Sequence, residues 1–350
     1  METPRHTQPG PELTTVAEDE VVIHVGPEVR RYRGLSPSTR YDLDGLQAHT
    51  LPRPDGALLS VVATVNDVHF GETRCGEVEG TDIGPILSVG PDERPYPEMM
   101  SSAAAGEIGA IRDGAGPDAV VAKGDLTTSG TAAEYEAFLA VYGQAFGDRL
   151  HHVRGNHDAM SGLAYAAAAT QEVVLDGVIL AILDTVIPGK SNGRLGADQL
   201  AWLDELADRA DRPVLVFGHH QPWDPDSPTR PTDYFGINPD DSEALVDVVA
   251  RRPIIAGYFA GHTHRNRVRR FSAAPDVPIV EVASAKDFPG SWAEYRIFEG
   301  GILQIHRRIS TPEALAWTDR TRAMFAGAYA SYSFGAISDR CLAIGNPIVT

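Results

Sequence analysis

Gly155-Asn156-His157-Asp158, closing the apolar run 150–153, is the stretch on which the reading of this chain turns. An apolar segment ending in a tight polar turn reads as a strand that delivers side chains to one edge of a sheet. The three polar side chains differ in chemistry. The amide oxygen of Asn156 can face a cation and the imidazole of His157 can move a proton, while the carboxylate of Asp158 can fix the tautomer of that ring. Four further clusters of the same kind also follow predicted strands: Asp67-Val68-His69, Gly124-Asp125, His219-His220 and Gly261-His262-Thr263-His264. Singly, the first two read as chance polar turns or helix caps. In series on successive strand ends, the five read as one site.

Outward from these clusters, the chain alternates strand and helix. Residues 58–65 form a Val-rich run with the continuous apolar character of a strand covered on both faces. Helices are expected over 98–112, 131–146, 196–209 and 242–251. Strands are expected over 118–122, 150–153, 172–175, 178–183, 213–217, 254–259, 278–283, 293–298 and 302–308. This is an α/β layered pattern whose second half is more antiparallel. The Gly- and Pro-rich insertion 71–97 beside His69 reads as a lid, a substrate wall or a cover for the sheet.

The flanks carry separate segments. Residues 1–19 are polar and aperiodic and read as a disordered tail. Short strands over 21–25, 29–35, 41–44 and 46–51, with a linker to 57, form a small β appendage. Within it, Gly34-Leu35-Ser36-Pro37-Ser38-Thr39-Arg40-Tyr41 resembles a corner of fibronectin type III modules, although edge strands on the main domain would read the same way. The catalytic region is expected over 58–310 and a C-terminal helical extension over 311–350, ending in a partly apolar segment, 334–344, that needs a partner. That segment leaves room for a homodimer.

Composition bounds the partners. Lys and Arg number 30 against 48 Asp and Glu, a formal net charge of -18. So acidic a surface repels nucleic acid polymers and anionic membranes, so any phosphate must be met by local positive charge. The 2 cysteines, Cys75 and Cys341, form no disulfide framework and fit a reduced, cytoplasmic setting. Neither a secretory leader nor a membrane-length apolar run is visible. There is no Gly-x-x-x-x-Gly-Lys phosphate loop and no His-Glu-x-x-His helix. The donors on offer are nitrogen and oxygen without thiolate, which suits Mn, Fe, Zn or Co better than Mg or Ca.

In this order the clusters resemble the calcineurin-like metallophosphoesterase superfamily, with its D-x-H, G-D, G-N-H-D/E, further His and G-H-x-H, across residues 58–308. Gly124-Asp125-Leu126-Thr127-Thr128-Ser129-Gly130 and the His-His pair before Pro222 are most similar to the class III cyclic-nucleotide phosphodiesterase group. Thr128 stands where purple acid phosphatases carry a Tyr. The resemblance implies a four-layer sandwich of two mixed sheets flanked by helices. It also implies two divalent ions, with Mn or Fe favoured. One would be held by Asp67, His69 and His264, the other by Asn156, His262 and one His of the pair, with Asp125 bridging. His220 fits a His-x-Pro spacing and is preferred, with His219 as the alternative. His157 would protonate the leaving oxygen with Asp158 orienting its ring, while a metal-bridging hydroxide attacks phosphorus. The expected substrates are small phosphodiesters, 3′,5′-cyclic nucleotides among them; a broad phosphomonoesterase and a non-catalytic scaffold are the alternatives.

Overall fold

A computed structural model gives the fold over residues 10–77, 80–90, 92–162 and 164–347. In chain order its strands are β1 (Glu12–Val16), β2 (Glu20–Val25), β3 (Glu28–Arg33), β4 (Arg40–Leu43), β5 (Leu46–His49), β6 (Leu58–Val65), β7 (Arg74–Cys75) and β8 (Leu87–Ser88). β9 (Ala119–Lys123), β10 (Leu150–Val153), β11 (Thr170–Leu175), β12 (Val178–Leu183), β13 (Val214–Phe217) and β14 (Ile255–Ala260) follow. The last are β15 (Arg267–Phe271), β16 (Ala274–Glu281), β17 (Ser291–Phe298), β18 (Gly301–Arg308) and β19 (Leu342–Gly345).

Two mixed six-stranded sheets face each other, in the orders β10-β9-β6-β17-β18-β19 and β11-β12-β13-β14-β16-β15. Their strands read as unbroken apolar runs because successive side chains enter different cores. Val62 of β6 and Val121 of β9 pack between the sheets against Leu180, Phe217 and Phe259. Their neighbours Ala63, Val65, Val120 and Ala122 face the opposite way. There they meet Met100, Ala104 and Ile108 of helix α1 (Tyr96–Ala110) and Phe138 of α2 (Ala132–Phe138). Beyond α2 the helix continues through a π turn, Leu139–Gly143, into a last turn, α3 (Gln144–Phe146). The second sheet is covered on its outer face by Leu203 and Leu206 of α4 (Ala197–Arg209) and Leu245 and Val249 of α5 (Pro239–Arg251). The four-layer sandwich expected from the motifs is the architecture found. Among the described residues no helix is long and apolar enough to cross a membrane.

The flanks depart from expectation. Of the tail expected over 1–19, residues 1–9 lie outside the described residues, but Glu12–Val16 is a strand paired antiparallel with β2. Its Thr14-Thr15-Val16 is β-branched and buried, a signal masked by the polar residues around it. β1, β2 and β3 make a sheet of their own, and β4 and β5 a hairpin. This unit is bolted to the main body: Thr15 Oγ1 donates to the His306 carbonyl at 2.7 Å and Arg322 grips Glu12 at 2.6 Å. The C-terminal region is not helical throughout. After α6 (Pro312–Thr321), α7 (Ala328–Phe334) and α8 (Ile337–Arg340), β19 pairs antiparallel with β18 and closes the first sheet. The apolar segment that suggested a homodimer is therefore covered by its own chain. The insertion 71–97 carries the ribbon β7–β8 and sends Cys75 into the core under α1.

Because Ile344 is 5% exposed opposite Ile302, Ile344→Ala is expected to lower the unfolding free energy by about 2–4 kcal/mol in urea titration. An unchanged midpoint would show that β19 is undocked in solution.

Candidate metal centre

Strand order brings the five clusters together. β6, β9 and β10 are parallel neighbours in one sheet, and β13 and β14 are parallel neighbours in the other. The side chains following those five carboxyl ends converge. Asp67, His69 and His264 offer ligand atoms within 4.8 Å of one another, as do His219, His220 and His262. Asp67, Asp125 and His219 form a third such group, and His69, Asp125 and His157 a fourth.

The backbone is strained to achieve this. Asp67 (φ 52°), His69 (48°), Asp125 (47°), His262 (67°) and His264 (53°) all hold left-handed conformations. Each costs an L residue about 1–2 kcal/mol, so the surrounding structure must over-determine it. It does so by lacing the turns together. His69 N–H donates to the Asp125 carbonyl at 3.0 Å, Asp67 N–H to Gly124 at 3.1 Å and Gly261 N–H to His219 at 3.0 Å. Gly155 is fixed by close approach, since a Cβ there would lie 2.2 Å from Asp125 Oδ1.

Asp125 sits at the middle. Its Oδ2 is 3.5 Å from Nε2 of His69 and 3.4 Å from Nε2 of His219. His219 Nε2 is also 3.2 Å from Asn156 Oδ1, and His264 Nε2 is 3.5 Å from Asp67 Oδ1. Charge-assisted hydrogen bonds are shorter, about 2.7–2.9 Å. Donors around a shared cation at bond lengths of about 2.1 Å stand about 3.0–3.4 Å apart. Nε2 of His69, of His220 and of His262 is buried without a hydrogen-bond partner, which is costly unless a cation takes its lone pair. The donor set therefore fits divalent metal.

The groups behind the rings aim them. Nδ1 of His219 donates to the Lys123 carbonyl at 2.9 Å, turning Nε2 inward. Nδ1 of His220 meets Thr185 Oγ1 at 2.8 Å. Nδ1 of His264 is 3.5 Å from Asp287 Oδ2, and Asp287 in turn accepts from Tyr329 Oη at 2.6 Å. Burial works to lower the pKa of His219 and His264, but Asp125 raises the first to about 9 and Asp67, with Asp287, raises the second to about 10. Burial drives His69, His220 and His262 well below the ordinary imidazole value.

One expected role is corrected. Asp158 does not touch the His157 ring. Its buried carboxylate accepts from Gly155 N–H (2.7 Å), Leu126 N–H (3.0 Å), Thr127 N–H (2.8 Å) and Thr127 Oγ1 (2.6 Å), which fills its lone pairs. It clasps the two turns together. The His157 ring is set instead by the Thr128 carbonyl, 2.8 Å from Nδ1, while the backbone N–H of His157 donates to Asp125 Oδ1 at 2.9 Å.

Asp287 was missed in the sequence, although a carboxylate just beyond a predicted strand, 278–283, was signal enough. Asp184 and Thr185 flank the site: Asp184 pairs with Arg154 at 2.6 Å and Thr185 holds His220. In the basic run 265–270, Arg265 and Arg269 turn onto buried Glu281. Gly189-Lys190-Ser191-Asn192-Gly193 has the spacing of a serine nucleophile elbow, but Ser191 is exposed in a loop rather than on a sharp strand-to-helix turn. A cavity of about 790 Å³ lies between the N-terminal sheet and β17–β18, away from every clustered residue. Its Arg296 and Arg307 are already paired with Glu294.

Comparison with known proteins agrees with this geometry. The calcineurin-like phosphoesterase family profile matches residues 61–266. A cAMP/cGMP dual specificity phosphodiesterase of Mycobacterium tuberculosis is 30% identical over 69% of this chain and 70% of its own. A glycerophosphodiester phosphodiesterase of Enterobacter lignolyticus is 29% identical over 45% of this chain and 60% of its own. Among solved structures, a dimetal phosphatase from Danio rerio superposes with a TM-score of 0.53 at 16% identity, covering 72% of this chain and 97% of that one. The chain belongs to the calcineurin-like phosphoesterase family. It is a metal-dependent hydrolase of phosphoric esters.

Removing the clasp leaves three buried N–H groups unpaired, so Asp158→Ala is expected to cost about 3 kcal/mol or more of unfolding free energy. His157→Ala, at a half-buried ring, is expected to cost under about 1.5 kcal/mol. Equal losses in urea titration would overturn the assignment of the clasp to Asp158.

Proposed function

We propose that residues 58–310 form a dinuclear phosphodiesterase that hydrolyses small phosphodiesters, with 3′,5′-cyclic nucleotides among its substrates. The observation that carries this is the position of Asp125 Oδ2 between His69 and His219, one carboxylate oxygen shared by two donor sets. In this reading Asp67, His69, His264 and Asp125 hold one ion, and Asp125, Asn156, His262 and His219 hold the other. His219 is preferred over His220 because its Nε2 faces both Asp125 and Asn156. Mn or Fe is the favoured metal for this nitrogen and oxygen set. The buried, unpaired thiols of Cys75 and Cys341 support a reduced, cytoplasmic setting.

Two such ions would polarise the phosphoryl group and make water acidic enough to ionise near neutral pH. The remaining chemistry falls to the chain. Asp125 fixes the spacing of the two donor sets, and its acceptance of the His157 N–H places that ring beside them. The Thr128 carbonyl occupies Nδ1 of His157, leaving Nε2 to hand a proton to the departing oxygen. The nucleotide and glycerol diesters named for the relatives support a diester over a monoester.

Chelation followed by addition of Mn, Fe, Zn or Mg tests the reading, with bis(p-nitrophenyl) phosphate and p-nitrophenyl phosphate as substrates. Metal-restored turnover that prefers the diester is expected; metal-independent turnover, or preference for the monoester, overturns it. His157→Ala should keep both ions and lose about 10²–10⁴-fold in kcat. Asp125→Ala should lose ions and activity together. Asp125 and Asp67 raise the pKa of His219 and His264 above the ordinary imidazole value, so protons compete with metal at both rings. Loading near neutral pH is then expected to release protons, measurable by calorimetry in buffers of different ionisation enthalpy. Metal uptake with no proton release would overturn this competition.

A further inference from the structure

Phe235 is a large apolar side chain left 53% exposed, and it stands at the rim of the metal centre. Its ring lies face to face with His262, centroids 4.0 Å apart and planes 28° from parallel. One face is thus covered by an imidazole of the site, while about half of the residue stays exposed. The backbone that carries the ring is also held in place. The Gln221 side-chain amide donates to the Phe235 carbonyl, and Ile237 N–H donates to the Gln221 carbonyl at 2.9 Å. Gly193 N–H donates to the Gly236 carbonyl at 2.8 Å. A Cβ on Gly236 would lie 2.6 Å from the Gln221 carbonyl oxygen, so a glycine is what lets this loop lie flat on the His219-His220-Gln221 turn. The backbone that carries the ring and the turn that carries two candidate ligands are one rigid assembly.

We propose that Phe235 is a specificity-determining residue, a fixed stacking platform for the nucleobase of a phosphodiester whose phosphorus is seated at the metal centre. The proposal rests on the phosphodiesterase reading and narrows it to diesters that carry an aromatic base. Every nucleobase presents a π-face, and stacking on a protein aromatic is strong yet tolerant of base identity. A preset ring gains affinity because little side-chain freedom remains to be lost on binding. A diester of glycerol and ethanolamine has no such face and gains only weak contact.

The test uses the full chain loaded with metal and two diesters, 3′,5′-cyclic AMP and glycerophosphoethanolamine. Phe235→Ala is expected to lower the ratio of kcat/KM for the first over the second by about tenfold, mainly through KM for cyclic AMP. Phe235→Trp should preserve the ratio, and Phe235→Leu should resemble alanine. A ratio within twofold of wild type in Phe235→Ala, or leucine serving as well as tryptophan, overturns the platform and reduces Phe235 to a cover for His262. Binding of AMP against ribose 5-phosphate to the same proteins separates the two readings. A protein that hydrolyses neither diester yet prefers AMP about tenfold, and loses that preference in Phe235→Ala, keeps the platform and refutes the phosphodiesterase. A protein that hydrolyses both diesters with no dependence on Phe235 keeps the phosphodiesterase and refutes the platform.

Discussion

The carboxylate of Asp125 is the contact on which the rest of the structure depends. One of its oxygens accepts the His157 N–H while the other faces His69 and His219. Those partners come from three strand ends in two different sheets, so the carboxylate can be placed only if both sheets are docked in register. The left-handed backbone at Asp125 and the bare α-carbon of Gly155 are local concessions to that placement. Strain of this sort is stable only where many bonds fix it, and the turns around Asp125 are cross-bonded accordingly.

Burying this much titratable chemistry also demands a scaffold behind it. Asp158 joins the Gly124 and Gly155 turns through four accepted hydrogen bonds. On the far side, Asp287 stands between His264, Tyr329 of α7 and Lys286, and Lys286 reaches Glu72 in the insertion. The insertion and the C-terminal helices thus support the His264 ring rather than serving as ornaments on the shared fold. A carboxylate behind a ligating imidazole raises its basicity and fixes its orientation.

Much of this was legible because strand and motif are both local signals. The bounds of β6, β10 and β12 follow from apolar runs closed by polar turns, and the residues after them declare their chemistry one at a time. The helix α5 begins earlier than its apolar periodicity, at Pro239, because Asn238 caps it by accepting the Asp241 N–H. What could not be read was partnership. That Asp158 ignores its neighbour's ring in favour of Leu126 and Thr127, or that Phe235 lies on His262, depends on loops far apart in sequence. The choice between His219 and His220 likewise depends on where Asn156 comes to lie, which no spacing of residues encodes.

The pairing of β6 with β17 has a consequence for biogenesis. On the ribosome the segment bearing Asp67 and His69 emerges early, yet its antiparallel partner Ser291–Phe298 is among the last strands made. Contacts so distant along the chain are slow to form, and the exposed edge of β6 must meanwhile be kept from other pairings. A nascent chain halted before β14 holds His69 and Asp125 but lacks His262 and His264, and its first sheet lacks β17. The residues clustered around Asp125 therefore come together only after β14 has been made, late along the chain.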